Sequence, residues 1–343
     1  MASLGILTAG GDCPGLNAVI RAATLRAAGR DMPVIGFENG FAGLVHDKSR
    51  TLDPHVCDEV LARGGSILGC SGSNPYTDPD ATLAVSRMVE RHDLSALIVV
   101  GGNTSMATAY AAEFQGLPVV GVPKTIDNDV LGTEVTVGFA TAVETATEAI
   151  DRLHTTAESH ARVMIVETMG RDVGWLAATA GVAAGATMVL VPEQPIQMEH
   201  ITDTLSRRRA RGHDYSIIVV GEGTLFAGES QPTGTPGAPG EPLRLGGVGD
   251  RLAARIEQAT DFSCRVSVLG HVLRGGVPCA RDRVLATRLG IRAADLAMDE
   301  IHGIMVAWNS GQVTHCPLAQ AASGLKIVSR ELLDILDALS HAE

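Results

Sequence analysis

The stretch Gly121-Val-Pro-Lys-Thr-Ile-Asp-Asn-Asp-Val130 ends a run of apolar strand residues and passes into a polar turn. It places two carboxylates, Asp127 and Asp129, beside the hydroxyl of Thr125 and the amine of Lys124. Ligands of open α/β sheets bind outside the carboxyl ends of the strands, and an aspartate held there can accept a proton from a substrate hydroxyl. The alternative is a turn whose side chains only satisfy backbone N–H groups. The stretch therefore predicts a strand that ends in either a catalytic or a structural loop.

Short apolar runs alternate with helical patterns along the rest of the chain. This alternation is typical of a parallel sheet covered on both faces, and a chain of 343 residues is long enough for two lobes. The predicted strands include residues 4–8, 96–100, 162–166, 188–191 and 216–220. The predicted helices include residues 16–28, 142–153 and 330–342.

Composition excludes several classes of function. The formal net charge of −12 argues against a nucleic-acid partner, because such proteins carry basic surfaces. The six cysteines contain no CxxC pair, which favours a reduced, cytoplasmic chain. No basic segment precedes the first apolar run, and no apolar stretch reaches the ~18 residues of a membrane span. We therefore expect a cytoplasmic protein with neither a membrane nor a nucleic-acid partner.

One segment breaks the alternation. Residues 226–242 are rich in Gly, Pro, Ser and Thr, with Gly-Thr-Pro-Gly-Ala-Pro-Gly at the centre. Such composition predicts an irregular, mobile loop. It is interpreted either as a flap near Glu222 or as a surface insertion, which long loops tolerate at little free-energy cost.

Five motifs in order resemble the phosphofructokinase family, and the resemblance runs from residue 4 to about residue 328. They are Leu7-Thr-Ala-Gly-Gly-Asp-Cys-Pro-Gly-Leu-Asn17, Pro123-Lys-Thr-Ile-Asp-Asn-Asp129, Val166-Glu-Thr-Met-Gly-Arg171, Gly221-Glu-Gly223 and Val268-Leu-Gly-His-Val-Leu-Arg-Gly-Gly276. The resemblance implies an α/β fold of two similar Rossmann-like lobes with parallel-rich sheets. It assigns residues 1–138 plus about 273–322 to a phosphate-donor lobe, and residues 139–272 plus about 323–343 to a sugar-phosphate lobe.

The function that this resemblance implies is the phosphofructokinase step of glycolysis. A phosphoryl group would pass from ATP or pyrophosphate to the 1-hydroxyl of fructose 6-phosphate or a similar sugar phosphate, with Mg²⁺ as cofactor. Two alternatives stay open: a divergent regulatory paralogue that binds sugar phosphate with weak or no kinase activity, and an enzyme repurposed to another acceptor. The family pattern also implies a homodimer or homotetramer.

The acceptor half of the implied site is intact in this sequence. The resemblance assigns catalysis to Asp127 (the general base), Thr125 and Arg171. It assigns sugar-phosphate binding to Arg162, Asp129, Met169, Gly170, Glu222, Arg265, His271 and Arg274, of which Arg162 and Arg265 would come from a neighbouring subunit. Arginine suits this task because its planar guanidinium binds phosphate oxygens in bidentate fashion. Each residue could instead have a local structural role, such as Arg171 pairing with Asp172.

The donor half departs from the family pattern. The implied donor-binding residues are Gly11, Gly72, Gly102, Asn103, Thr104, Ser105 and Lys124, and the implied metal ligands are Asn103 and Asp129. Gly72 stands where the family has an arginine, and Asn103 where it has an aspartate. Thr104 stands where it has glycine or aspartate, and we expect Thr104 and Lys124 to crowd the α-phosphate of ATP. These departures predict weak metal–ATP binding, because they remove two charges and add bulk.

Overall fold

The computed structural model describes residues 2–237 and 243–341. The chain divides into two compact units, one comprising Met1–Thr141 and Arg274–Lys326 and the other Ala142–Leu273 and Ile327–Glu343. Among the described residues, no helix is both long enough and apolar enough to cross a membrane.

The elements of the described residues are numbered in chain order. The strands are β1 Ser3–Thr8, β2 Val34–Phe37, β3 Ser49–Thr51, β4 Leu94–Gly101, β5 Val119–Pro123, β6 Val163–Thr168, β7 Met188–Leu190, β8 Ser216–Gly221, β9 Gly234–Thr235, β10 Arg244–Leu245, β11 Cys264–Val268, β12 Ile304–Asn309 and β13 Gln312–Pro317. The α-helices are α1 Leu16–Ala28, α2 Phe41–Val45, α3 Pro54–Asp58, α4 Pro79–Arg91, α5 Asn103–Phe114, α6 Phe139–His160, α7 Trp175–Ala183, α8 Met198–Ala210, α9 Val248–Ala259, α10 Ala280–Met298, α11 Leu318–Ala321 and α12 Arg330–His341.

The first unit contains a seven-stranded sheet of order β13-β12-β5-β4-β1-β2-β3. Its central strands are parallel, whereas β3 and β13 pair antiparallel with their neighbours at the two edges. Strand β1 shows why the interior is apolar: Leu4, Ile6 and Leu7 are all inaccessible to solvent, although they point to both faces of the sheet. The carboxyl ends of β1, β4 and β5 therefore open onto one edge, where their loops become neighbours.

The second unit contains a smaller sheet of order β11-β6-β8-β7, in which every pair is parallel. Its apolar core includes Ile165, Ile218 and Val220, none of which is accessible to solvent. Full burial of such a side chain is worth about 1.5–3 kcal/mol, so the strands are held by burial rather than by their polar ends. Each unit is thus α/β with a mostly parallel sheet, as the alternation predicted.

The Gly- and Pro-rich segment is more ordered than its composition predicted. Strands β9 and β10 pair antiparallel at residues 234–235 and 244–245. Glu229 accepts hydrogen bonds from Arg251 at 2.6 and 3.1 Å and from Arg255 at 2.9 Å, and both guanidinium groups lie over the buried Phe226 ring. The segment is therefore held against α9 at its start, and residues 238–242 lie outside the described residues.

Candidate active site

The loop after β5 is fixed by its own polar side chains. Residues 124 and 137 form an isolated bridge, and Thr136 donates its hydroxyl to the carbonyl of Thr125 at 2.7 Å. Asn128 has a left-handed backbone (φ 55°), and its side-chain oxygen accepts from the amide of Thr136 at 3.1 Å. Asn128, the residue between the two aspartates, therefore satisfies a backbone N–H group of this turn, as the structural alternative predicted.

Asp127 lies inside this loop with little access to solvent. Its exposed fraction is 7%, and its amide donates to the hydroxyl of Thr125 at 3.1 Å. Thr125 itself is 8% exposed. A carboxylate held by a rigid turn at a strand end is in a position from which a general base can act.

The first glycine turn, at the end of β1, is adjacent to the loop after β5. Lys124 is 2% exposed, and its ammonium donates to the carbonyls of Ala9, at 3.0 Å, and Gly11. A Cβ on Gly10 would lie 3.2 Å from the Ser105 hydroxyl, so the loop after β4 also contacts this turn. The Lys124 ammonium is thus held by backbone carbonyls of the turn. The expected crowding of the α-phosphate of ATP stays a prediction.

The amino terminus of α5 follows β4 and is capped by Gly102. A Cβ on Gly102 would lie 3.5 Å from Cβ of Thr125, so the helix start adjoins the turn that carries Thr125 and Asp127. Thr104 lies in the first turn of this helix and is exposed. Backbone N–H groups at such a position bind phosphate oxygens.

Position 72 is also part of this edge of the sheet. Ala9 and Ser71 form a parallel bridge, and the amide of Gly10 donates to the carbonyl of Ser71 at 2.8 Å. A Cβ on Gly72 would meet no atom within 4 Å. The missing arginine side chain therefore leaves open space beside the first glycine turn, and no neighbour in the described residues has filled it.

Arg274 contacts the same turn. Its guanidinium donates to the carbonyl of Asp12 at 3.3 Å, and a Cβ on Gly11 would approach it to 2.5 Å. The family pattern assigned this residue to sugar-phosphate binding. Its contacts within the first unit place a positive charge on the first glycine turn, at Gly11 and Asp12.

The predicted metal ligands are tied to the segment that ends the first unit. Asn103 donates from its amide nitrogen to the carbonyl of Gly324 at 2.5 Å, and Lys326 donates from its backbone to the carbonyl of Asp129 at 2.9 Å. The Lys326 ammonium donates to the carbonyls of Thr133 and Glu134. Burial lowers the pKa of Lys326 to about 8, and the carboxylates of Asp129 and Glu134 oppose that shift.

The side chains of Asn103 and Asp129 fit a magnesium ion that binds together with a phosphate ligand. Within residues 2–237 and 243–341, no group of three or more His, Cys, Asp or Glu side chains is arranged to hold a metal. Asn103 and Asp129 offer one amide oxygen and one carboxylate, and Mg²⁺ commonly binds through one or two carboxylates plus substrate phosphates. The positive charge of the Lys326 ammonium reduces the electrostatic attraction of Asp129 for a cation.

In the second unit, the loops after β6 and β8 meet. The amide of Glu222 donates to the carbonyl of Thr168 at 2.9 Å, and a carboxylate oxygen of Glu222 accepts from the amide of Arg171 at 3.2 Å. The Arg171 side chain is exposed, and the hydrogen bond of this residue to Glu222 is made by its backbone amide. Among the described residues its guanidinium forms no ion pair, so the pairing with Asp172 that the sequence left open does not form. Met169 and Gly170 lie in the same loop, directly before Arg171.

Arg162 and Arg265 lie at the opposite end of the same sheet. Arg162 immediately precedes β6, and Arg265 pairs in register with Met164, the second residue of that strand. At a rise of about 3.3 Å per residue, Arg162 lies roughly 20 Å and Arg265 roughly 13 Å from the end of β6 at Thr168, where the loop of Arg171 begins. His271, which follows β11, is exposed at the carboxyl end. The second unit by itself therefore does not bring these two arginines to Arg171 and Glu222.

Two polar residues, one in each unit, escaped the sequence analysis. Lys326 closes on the loop of Asp129 from a distant part of the chain, and no motif marked it. Glu193 bonds to the loop that carries Arg171, through the amide of Gly174. Its position three residues after β7 was the only available signal, since β7 belongs to the same parallel sheet.

Sequence comparisons agree with these motifs. A family model described as phosphofructokinase matches residues 3–297. The chain is 46% identical over 338 residues to the ATP-dependent 6-phosphofructokinase of Spirochaeta thermophila, covering 95% of this chain and 92% of the relative. It is 45% identical over 331 residues to the pyrophosphate–fructose 6-phosphate 1-phosphotransferase of Amycolatopsis methanolica, covering 96% of each.

Solved structures share the fold. Phosphofructokinase from Saccharomyces cerevisiae aligns with a TM-score of 0.83 at 25% identity, covering 99% of this chain and 46% of the yeast chain, so this chain spans less than half of that protein. The pyrophosphate-dependent phosphofructokinase from Marinobacter aquaeolei aligns with a TM-score of 0.81 at 21% identity, covering 98% of this chain and 91% of that one. With a family match across most of its length and close relatives over nearly all of it, this chain belongs to the phosphofructokinase family.

Proposed function

We propose that this protein is a phosphotransferase that moves a phosphoryl group from ATP or pyrophosphate to the 1-hydroxyl of fructose 6-phosphate. The observation that carries the proposal is the buried Asp127 in a braced turn that adjoins both the first glycine turn and the start of α5. A proton acceptor thus lies beside two groups of backbone N–H donors suited to phosphate. The family relatives support the same chemistry, since they include enzymes named for each donor.

The transfer step assigns a role to each group. Asp127 accepts the proton of the sugar 1-hydroxyl while the oxygen of that hydroxyl attacks the terminal phosphorus of the donor. The bond from that phosphorus to its bridging oxygen breaks, and the donor leaves as nucleoside diphosphate or inorganic phosphate. Arg171 neutralises charge on the transferring group, and Glu222 binds sugar hydroxyls.

Magnesium belongs to the donor side of this proposal. Asn103 and Asp129 would hold the ion together with the donor's phosphates, and the bound ion would neutralise phosphate charge. Because Asn103 carries no charge and Lys326 competes for Asp129, the protein's share of the binding free energy is small. We expect a high magnesium requirement.

The sugar-phosphate clamp is proposed to cross a subunit interface. Arg162 and Arg265 flank the amino ends of β6 and β11, about one strand length from Arg171. In a homodimer or homotetramer these arginines would serve the site of a second copy. We place the enzyme in the cytoplasm, where its proposed substrates occur.

The decisive experiment is a coupled assay of purified protein for fructose 1,6-bisphosphate formation. Fructose 6-phosphate is held constant while ATP, pyrophosphate and Mg²⁺ are each titrated, and Asp127→Asn serves as the matched control. Turnover with at least one donor that is lost in the control supports the proposal. If the sugar phosphate raises the thermal midpoint but neither donor is consumed, the protein is a binder and the proposed enzyme activity is wrong.

A further inference from the structure

The loop of residues 168–174 in the second unit has an unfavourable backbone conformation, which its surroundings must restrain. Arg171 has a left-handed φ of 50°, and Gly170 has a φ of 144°. A non-glycine residue in the left-handed region is held there by its surroundings, since the conformation is otherwise disfavoured. The amino-terminal half of the loop is restrained by Glu222, through the bonds to Thr168 and Arg171 already described.

The carboxyl-terminal half of the loop is restrained by a second carboxylate, that of Glu193. Both carboxylate oxygens accept from the amide of Gly174, at 3.1 and 3.0 Å, and one also accepts from the amide of Val328 at 2.9 Å. Gly174 is the buried N-cap residue of α7, a position where a negative charge is favourable. A Cβ on Gly174 would lie 2.8 Å from the Glu193 carboxylate and would also meet Val191. The contact is therefore close and specific.

We propose that Glu193 is a positioning residue that holds Arg171 in place for phosphoryl transfer. Glu193 and Glu222 follow β7 and β8, which are neighbours in the sheet, and they restrain the two halves of one loop. Without the Glu193 carboxylate, the amide of Gly174 loses its acceptor and the left-handed turn at Arg171 can relax. The inference rests on the proposed function, because it assigns Arg171 to the transferring phosphoryl group.

The first test compares Glu193→Ala with Glu193→Gln. The alanine variant should lower kcat by ~10–10²-fold, the loss expected when a catalytic group is misplaced by about 1 Å. The KM for fructose 6-phosphate should change much less than kcat. Glutamine keeps one oxygen that can accept from Gly174, so it should recover most of the loss. Glu199→Ala, on the exposed first turn of α8, is the matched control and should leave kcat unchanged.

The second test asks whether Glu193 acts through Arg171. In an Arg171→Ala background, Glu193→Ala should cause no further loss of kcat, whereas any loss of thermal stability should be the same in both backgrounds. Equal kcat losses with and without Arg171 would overturn the inference. If the alanine variant does not fold, the same cycle is measured with Glu193→Asp, whose shorter side chain withdraws the carboxylate from the amide of Gly174.

A third measurement separates this inference from the proposed function. Amide hydrogen exchange should rise in Glu193→Ala within residues 170–175, while the core strands β6 and β8 stay protected. Wild-type protein that is inactive with both donors contradicts the proposed function, whatever the exchange result. Unchanged exchange in this segment contradicts the role of Glu193, even when the wild-type enzyme is active.

Discussion

The donor edge of the first unit and the loop pair of the second unit are built in the same way but differ in their residues. In both, buried parallel strands end in glycine-containing turns, and the loops of neighbouring strands bond to one another. The second unit keeps the family motif around Arg171 and Glu222. The first unit instead has Gly72, Asn103 and Thr104 at positions where the family pattern places charged or smaller groups.

This difference indicates that the buried strands determine where the loops begin, whereas the residues of the loops determine their conformation and chemistry. The first core includes Leu97, Val99 and Val119, and the second includes Ile165 and Ile218, all inaccessible to solvent. Their burial is unaffected by exchanges such as Arg for Gly in an open loop. A fold of this kind can therefore change its donor chemistry without losing its architecture.

The largest expected effect is at Asp127. Replacing it with serine should lower kcat by ~10² or more, the usual loss for a positioned base, while fructose 6-phosphate still raises the thermal midpoint. Asp80→Ser, an exposed carboxylate in the first turn of α4, is the control and should be fully active. Full turnover of Asp127→Ser with fructose 6-phosphate would show that Asp127 is not the catalytic base.

The next effect concerns the arginines at the far end of the second sheet. Arg162→Ala should raise the KM for fructose 6-phosphate by ~10–10²-fold, since a charged hydrogen bond is worth about 1.5–3 kcal/mol. Co-expression with Asp127→Ser subunits should restore activity at low substrate, because mixed oligomers contain one site with both residues. A stable monomer by light scattering that still binds the sugar phosphate tightly would contradict this prediction.

A smaller gain is expected from repairing the donor edge. Asn103→Asp with Thr104→Gly should raise ATP turnover, and adding Gly72→Arg should raise it at least ~10-fold more by neutralising transition-state charge. A Cβ at position 72 meets no atom within 4 Å. Gly72→Gln, shorter and uncharged but also polar, is the control. Wild-type turnover of ATP at ~10² per second, a vigorous rate for a kinase, would show that the donor edge needs no repair.

The smallest effect is on stability, where Glu229 holds the start of the Gly- and Pro-rich segment against α9. Hydrogen bonds and charge from Arg251 and Arg255 hold the pKa of Glu229 below its usual range. The ion pairs therefore stabilise the fold above the unfolded-state pKa of about 4.3, and the stabilisation is lost as the pH falls through the lower folded-state pKa. Glu229→Gln should be slightly less stable than wild type at neutral pH, and thermal unfolding should show the difference vanish in acid. A difference in stability that persists at acidic pH would mean that packing, and not the charge of Glu229, holds this segment against α9.

Local patterns predicted the regular elements well where both faces are apolar. The predicted helix 16–28 matches α1, and the predicted strand 96–100 lies within β4. The predicted strand 162–166 was shifted, because β6 continues through Glu167 and Thr168. Glu167 can lie buried at a strand end since its carboxylate accepts from the amides of Gly247 and Gly249. Those partners are about 80 residues away, so no local pattern shows them.

The same limit explains the Gly- and Pro-rich segment. Its composition predicted an irregular loop, whereas Glu229 docks it on α9 through two arginines. The candidate site was predicted through the family resemblance, and the structure adds how its parts are braced. Lys326 at the loop of Asp129 and Glu193 at the loop of Arg171 were not predicted, because each acts across a long sequence separation.

By itself, the sequence determined the α/β class, the positions of the central strands, the family and the residues that depart from its pattern. Those properties depend on local hydrophobic periodicity and on motifs of a few residues. Only the tertiary structure decided that the Lys124 ammonium is fixed to the first glycine turn and that the Arg274 guanidinium contacts the same turn. It also decided that Glu193 restrains the loop of Arg171. These are contacts between groups far apart in the chain, and burial of the two cores, rather than any local preference, brings them together.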